Sequence, residues 1–571
     1  MKNINKYVAL VVFGGMLAFT SCETTELDIT ANPNALTPEQ ASVDFFLNSI
    51  QEDFVRQFDG DADSDAQDNW SSGGATTGDG FNEIGMELTR MVNMSGLNYR
   101  GDVYQGSDMD DEWRNAYRGI LADIRAMTPL AVAADQTHHI GITQFIEAYL
   151  MVTMVDFFGD VPYSEAIQAA DLVFNPAVDS GASIYAASLS LIDQAISNFR
   201  STASADPASE FFYGNDYDKW VLAANTLKMK IYLQSRLVDA SAIANFNAIV
   251  ASGNYIQDTA DDMVYNWPAT SASQPDSRHP WYGLSYQTAG ANGYMSNWLM
   301  NLMDTTDDPR IRYYFYRQNE FVPGAEIDPD EELLNCSLET APQHYIDGGF
   351  TFCWLDNGYW GRDHGDADGI PPDGLRRAIM GVYPVGGLFD DSSFTAVTGS
   401  SGAGGTGITN LLTAFGADLM IAEIALAGGN DAGARAAMLD AFDKNIAKVQ
   451  GFLVGRESTA DTSFEPSAAD VTAYRDAIAA DFDAGDTEGK WNVFGEQLLI
   501  AHFGNGVDPY NFYRRTGFPN TVQPNLEPNP DTFIRSMYYP TNAVNNNSNI
   551  SQKADQAQPV FWDTAGTPPA N

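Results

Sequence analysis

Three kinds of residue in this chain have types and spacings suited to chemistry: clustered carboxylates, loop-borne aromatics and a cysteine near the amino terminus. Paired carboxylates can hydrolyse glycosides, but with 76 acidic residues such pairs arise from composition and single out no site. Oxygen-rich loops suit Ca²⁺. Asp59, Asp61, Asp63, Asp65 and Asp68 alternate in DGDADSDAQD, yet the sixth and twelfth places hold Ser64 and Trp70 rather than the Gly and Glu of a calcium loop. Asp363, Asp366 and Asp368, before Gly369, form a second cluster and are the candidate Ca²⁺ ligands. The six histidines show no zinc spacing, no Gly-x-Ser-x-Gly elbow is present, and the glycine-rich run 399–407 lacks the Lys of a phosphate loop. The aromatics are more telling. Trp70 stands in a polar loop, Trp281 and Tyr282 follow Arg278-His279-Pro280, and Trp354 and Trp360 flank the turn-prone Asp356-Asn357-Gly358-Tyr359. No helical period claims them, so they are the candidate ligand platforms, Trp70 first. A flat ring stacked on a pyranose contributes about 1–2 kcal/mol. Trp220, Trp298 and Trp491 fall within helical patterns and are assigned to the core.

The cysteine is Cys22. Lys2 and Lys6 precede an apolar run from Tyr7 to Phe19, and Thr20-Ser21 leads into Cys22. A basic head, a short apolar stretch and small residues at the cut make a secretory signal peptide, and Leu17 to Cys22 resembles a lipobox. The expectation is a leader over 1–21, a lipid on Cys22 strong enough to anchor a large domain, and a polar tether over 22–40. No other segment reads as membrane-spanning. Cys336 and Cys353 remain, in a compartment that permits disulfides; a bridge and two buried thiols are both compatible with the sequence. The formal charge is −46. That excludes nucleic acid as a partner, whose binding needs clustered Lys and Arg, and disfavours polyanionic ligands.

The elements that must position these residues are mainly helices. Ile142, Phe145, Ile146, Tyr149, Leu150, Thr153 and Phe157 fall on one 3.6-residue stripe, as do Tyr185, Leu189, Ile192, Ala195, Ile196 and Phe199, with Asp179 or Ser180 as N-cap. Further helices are predicted at about 218–238, at 411–427 with a stop at Gly428-Gly429, at 432–453 and at 492–503. The stretch 254–410 is rich in Trp, Tyr, Gly, Pro and Asp and reads as loops and short strands. Loops on a rigid scaffold are where binding sits. The expected organisation is a single domain over 41–571: helical scaffold at 41–253 and 411–515, loop-rich ligand-binding region at 254–410, irregular tail at 516–571.

Several blocks carry a family resemblance. The run from Tyr149 to Ala166, YLMVTMVDFFGDVPYSEA, resembles the most distinctive block of the SusD/RagB family. It is followed in the family's order by Ser183-Ile184-Tyr185, by Tyr213 to Asp216 with Lys219-Trp220, and by Ala224 to Lys230. Asp308-Pro309-Arg310, Ala422-Glu423, Gly358 to Asp366 with Gly381 to Pro384, and Tyr513 to Pro519 complete it; two of these blocks are similar to the SusD-like branch.

The resemblance implies a tetratricopeptide-like stack of helix pairs carrying a loop-rich insert. It also implies a Bacteroidetes cell-surface lipoprotein of the outer membrane that binds rather than turns over its ligand. Such a protein captures oligosaccharides, or in some members peptides, and passes them to a SusC-like TonB-dependent transporter. Glu23 and Glu26 match the family's surface-export signal in part. A surface glycoside hydrolase is the alternative of a different class.

Overall fold

Helices carry the architecture, as the periodicity predicts. The computed structural model describes residues 42–60, 80–96, 98–99, 101, 103–168, 173–271, 276–321, 336, 339–366, 373–566 and 568. The chain divides into two units, Met1–Ser42 and Val43–Asn571. The leader, Cys22 and the tether lie outside the described residues, as do Trp70 and the acidic run after Asp59.

The second unit opens with α1 (Val43–Asp59), α2 (Gly80–Leu88) and α3, a continuous helix made of Asp110–Arg114, a π-helical stretch Asn115–Leu121 and Ala122–Ala133. Next come α4 (Thr137–Phe158), α5 (Gly181–Phe199), α6 (Tyr217–Ser235) and α7 (Ala242–Ser252). Among its described residues the insert holds short helices only: α8 (Pro280–Ser285), α9 (Asn297–Thr305), α10 (Ile311–Tyr314) and α11 (Gln343–Gly348). The scaffold resumes with α12 (Ala414–Ala427), α13 (Asp431–Leu453), α14 (Ala468–Ala484), α15 (Thr487–Ala501) and α16 (Val507–Thr516). The tail adds α17 (Thr541–Asn546). Consecutive helices pack as pairs, α4 on α5, α6 on α7, α12 on α13 and α14 on α15. This is the tetratricopeptide-like scaffold.

Local chemistry sets the helix starts. The side chains of Ser180, Asp216, Thr413, Asn430 and Asp486 each accept a backbone N–H in the first turn of the helix they precede. The residues before Thr413 depart from the prediction. Ile408–Leu412 is strand β6, antiparallel to β3 (Met263–Asn266), because a short apolar run satisfies either period until a partner strand is present. Two further two-residue ladders pair β1 (Val161–Pro162) with β2 (Val178–Asp179), and β4 (Phe315–Tyr316) with β5 (Ile379–Met380).

α4 also differs from its expected single stripe: 19 of its 22 residues are buried. By length and composition alone it would suffice to cross a membrane, but 89% of its apolar window is buried inside the fold. It is the core helix, and each large apolar side chain buried there contributes about 1.5–3 kcal/mol.

The blocks that carry the family resemblance turn out to be the pins of this scaffold. Asp156 is buried and accepts from the Tyr185 hydroxyl, Trp562 Nε1 at 2.9 Å and Asn511 Nδ2 at 2.8 Å. Arg514 donates to the Asp156 carbonyl at 2.7 Å. One carboxylate thus ties α4, α5, α16 and the tail. Arg310, fully buried, binds Asp308 at 2.5 Å, Asn445 at 3.0 Å and Gln497 at 2.9 Å, joining the insert to α13 and α15. Arg515 pairs with Glu423 at 2.6 Å, between α16 and α12. Buried charges such as these persist because they are paired and hydrogen-bonded.

Candidate functional site

An open cleft of about 1480 Å³ lies between the insert and α14 with the bend that precedes it. Its floor is the Asp308-Pro309 corner, held from below by Arg310. One wall is the end of α9 and the turn 356–359; another is the loop at 392–394; the third is the bend at 464–466 with the exposed side of α14.

Two arginines organise the walls. Arg317 donates to Asp390 at 2.6 Å, to the Asn357 carbonyl at 2.7 Å and to Ser392 Oγ at 3.0 Å. Its guanidinium lies 5.0 Å from the ring centre of Tyr359 and 5.4 Å from that of Phe394. Burial disfavours its charge, but the bonds to Asp390 outweigh this and hold Arg317 above the usual arginine value. Arg312 donates to the Asp390 carbonyl at 2.8 Å and covers one face of Phe464 at 5.3 Å. Both cations are therefore committed to Asp390 and to rings.

The backbone is unusual at this place. Asp307, Asn357, Ser392 and Phe394 all have positive φ, at 55°, 62°, 58° and 48°. Asp and Asn tolerate the left-handed region, but a phenylalanine there costs about 1–3 kcal/mol and persists only where its surroundings hold it. Here the stacked Arg317 is part of that hold. Gly358 has no alternative: a Cβ would lie 2.4 Å from the Asn319 carbonyl.

The cleft presents two accessible aromatic faces, Phe321 at 41% and Phe464 at 39% exposure. Around them lie Asp304, Asp307, Glu320, Asp356, Glu465 and Asp470, so the rim is acidic. Asn357 donates to Asp304 at 3.2 Å and Tyr313 to Glu465 at 3.0 Å. Behind the 392–394 loop, Glu457 accepts the Phe389 N–H at 2.6 Å, and burial pushes its carboxyl up to about 7. Rings flanked by carboxylates, amides and a fixed guanidinium form a surface that can stack on and hydrogen-bond a polyhydroxylated ligand.

Of the residues expected from sequence, the described ones lie elsewhere, with one near miss; Trp70 lies outside the described residues. Trp281 and Tyr282 are corrected to core residues. They sit in α8, which His279 caps, with Trp281 at 4% exposure and Tyr282 at 0%. Tyr282 stacks on Tyr286 at 4.3 Å and donates to the Ser401 carbonyl at 2.8 Å. Trp360 is likewise wholly buried and packs against the disulfide that joins Cys336 and Cys353. The bridge decides the alternative left open by the sequence. Trp354 packs on the same cluster and is half-buried. The stretch 354–360 does reach the cleft, but through Asp356, Asn357 and Tyr359. A buried ring has no face left for a ligand, whatever its residue type.

The proposed calcium ligands are also committed within the fold. Asp363 accepts from the Cys353 N–H at 2.7 Å and from Gln523 Nε2 at 2.7 Å; burial pushes its carboxyl up to about 6. Asp366 faces Arg362 at 3.4 Å. Asp368 lies outside the described residues. Among the described residues no three His, Cys, Asp or Glu side chains gather as a metal set. Asp59 is buried at the end of α1 and bonded to Asn82 at 2.7 Å. Phe321, Phe464, Arg312 and Arg317 were not legible as site residues. Phenylalanine in an acidic loop gives little signal, and the arginines acquire their role only from chain segments distant in sequence.

Known proteins share the fold. A SusD-like family model, described as "Starch-binding associating with outer membrane", matches residues 78–326. A SusD/RagB family protein of Bacteroides thetaiotaomicron superposes with a TM-score of 0.63 at 17% identity, over 92% of this chain and 99% of that one. A SusD homologue of Bacteroides uniformis gives 0.61 at 15% identity, over 91% and 99%. A chitin-binding SusD homologue of Flavobacterium johnsoniae gives 0.59 at 16%, also over 91% and 99%. Among curated proteins, none matches the sequence.

Proposed function

We propose that this SusD/RagB-family chain is a cell-surface lipoprotein of the outer membrane, anchored through Cys22, that captures neutral oligosaccharides in the cleft walled by Phe321 and Phe464. In this reading it hands them to a SusC-like TonB-dependent transporter. The observation that carries the proposal is the cleft itself: two accessible rings and a fixed hydrogen-bonding wall in an opening of about 1480 Å³. Support for a glycan as the ligand comes from the starch-binding description of the matched family and from the chitin-binding relative. The acidic rim and the engaged arginines favour a neutral chain over a polyanionic one.

Stacking by two rings, at about 1 kcal/mol each beyond area burial, fits a dissociation constant on the order of micromolar to millimolar. A weak site suits a protein that must release its cargo. Titration calorimetry against neutral oligosaccharides of starch and chitin tests the reading. Phe464→Ala and Phe321→Ala should each weaken binding about three- to tenfold with an unchanged Tm, since both rings already meet solvent. Trp70→Ala, at the residue the sequence ranks first, is expected to do the same if Trp70 adds a third ring. Full affinity in both phenylalanine variants would remove the cleft as the binding site. Release of reducing ends during incubation would establish turnover and replace capture as the function.

A further inference from the structure

Away from the glycan cleft, a second pocket of about 400 Å³ opens between the end of α4 and the tail. Gly159 and Asp160 line one side, Ser536 and Tyr539 a second, and Lys553 a third. Seven lysines fall among the described residues, and six of them have a carboxylate partner. Lys219 pairs with Asp261, Lys228 with Asp193, Lys230 with Asp508, Lys444 with Asp418, Lys448 with Asp262 and Lys490 with Asp431, at 2.6–3.3 Å. In so acidic a protein that is the expected state. Lys553 is the exception. Its amine donates to two neutral oxygens, Ser536 Oγ at 2.8 Å and the Met537 carbonyl at 2.6 Å, and lies 5.0 Å from the Tyr539 ring centre.

We propose that Lys553 is a carbonyl-reactive amine and that its pocket admits small aldehydes, including the open-chain form of short aldoses. The cavity that Lys553 lines gives access, and among the described residues no carboxylate pairs with its amine, which donates to two neutral oxygens instead. Burial, with Arg514 adding to it, brings the amine down to about 7; Asp160 opposes this without reversing it. Tyr539, which also lines the pocket, is pushed up to about 12 by burial and stays protonated. Near neutrality a large fraction of Lys553 is thus the free base, the form that attacks. The nitrogen lone pair adds to the aldehyde carbon to give a carbinolamine. Loss of water then forms the C=N bond, the carbonyl oxygen leaving with one hydrogen from nitrogen and one proton from solution. The resulting protonated imine returns that proton to solvent, and the step needs no oxidant or reductant.

The test is limited reductive alkylation of the full chain with glyceraldehyde and cyanoborohydride at pH 7, followed by peptide mapping. Lys553 should be modified at least about tenfold faster than the six paired lysines, with a rate that rises through about pH 7 and then levels. Lys553→Arg, which keeps donors for Ser536 and Met537, should lose the fast adduct and keep the slow ones. Equal rates at Lys553 and Lys490, or a rate that climbs only towards about pH 10, would overturn the proposal. So would a fast adduct that persists in Lys553→Arg.

Discussion

Arg310 and Phe464 do opposite work on the two sides of the same cleft. Arg310 has no exposed surface and satisfies Asp308, Asn445 and Gln497, while its guanidinium lies 5.2 Å from the Phe442 ring centre. Arg310→Met would fill much of the same volume but leave Asp308 buried without its counter-charge. Breaking such a pair costs about 3–5 kcal/mol; urea unfolding should show a loss of that size. Phe464 packs one face on Arg312 and turns the other to solvent, so its removal should be felt by ligand rather than by the fold. The contrast explains why the family blocks were readable while the cleft rings were not. Asp308-Pro309-Arg310 and the 149–166 run answer to many neighbours at once. Phe321 and Phe464 need only be aromatic and accessible, a requirement that leaves no spacing.

Turns and loops position the site, and one covalent bond fixes the most important of them. The disulfide between Cys336 and Cys353 packs on Trp360 and anchors the start of the turn that brings Asp356, Asn357 and Tyr359 to the cleft. Removing the bridge with Cys336→Ser and Cys353→Ser should lower unfolding stability by about 3 kcal/mol for a loop of this length. Glycan affinity should fall at the same time, because Arg317 then holds a turn that is no longer tied at its other end. Stability lost without any loss of affinity would show that Arg317 and Asp390 suffice to order the wall. The same stretch shows how the sequence misplaces a site by one step. Aromatic residues at 354 and 360 advertise the turn, yet they face the disulfide while their neighbours line the cleft.

Across the molecule, the acidic composition makes buried carboxyls sensitive to pH. Glu457 is raised from 4.5 to about 7 by burial. Between these values the folded chain keeps a proton that the unfolded chain has released. The stability from that proton is fully present below about pH 4.5 and is lost as pH rises through about 7. Glu457→Gln carries no titrating group there. The Tm of this variant relative to the parent should therefore rise from about pH 5 to about pH 7 and then level off in thermal scans. A constant difference over that range would mean that Glu457 is ionised in the fold. His279, which burial lowers to about 3, pulls the other way below about pH 6.5, but it is common to both proteins and cancels in the comparison.

Periodicity and capping residues were enough to place α4 to α6, α12, α13 and α15 within a few residues, since a helix reports its apolar face and its first turn locally; α14 was not among the predicted helices. The family blocks were enough to predict stacked helix pairs with an insert, because the chain repeats the pins of that scaffold in order. Burial could not be read the same way. Whether Trp281, Tyr282 and Trp360 face a ligand or the core depends on segments tens to hundreds of residues away. The pairing of Cys336 with Cys353, the strand at Ile408–Leu412 and the gathering of Arg312, Arg317 and Phe464 around one opening depend on the same long-range contacts. Side-chain chemistry is written residue by residue; exposure exists only once the distant parts of the chain have met.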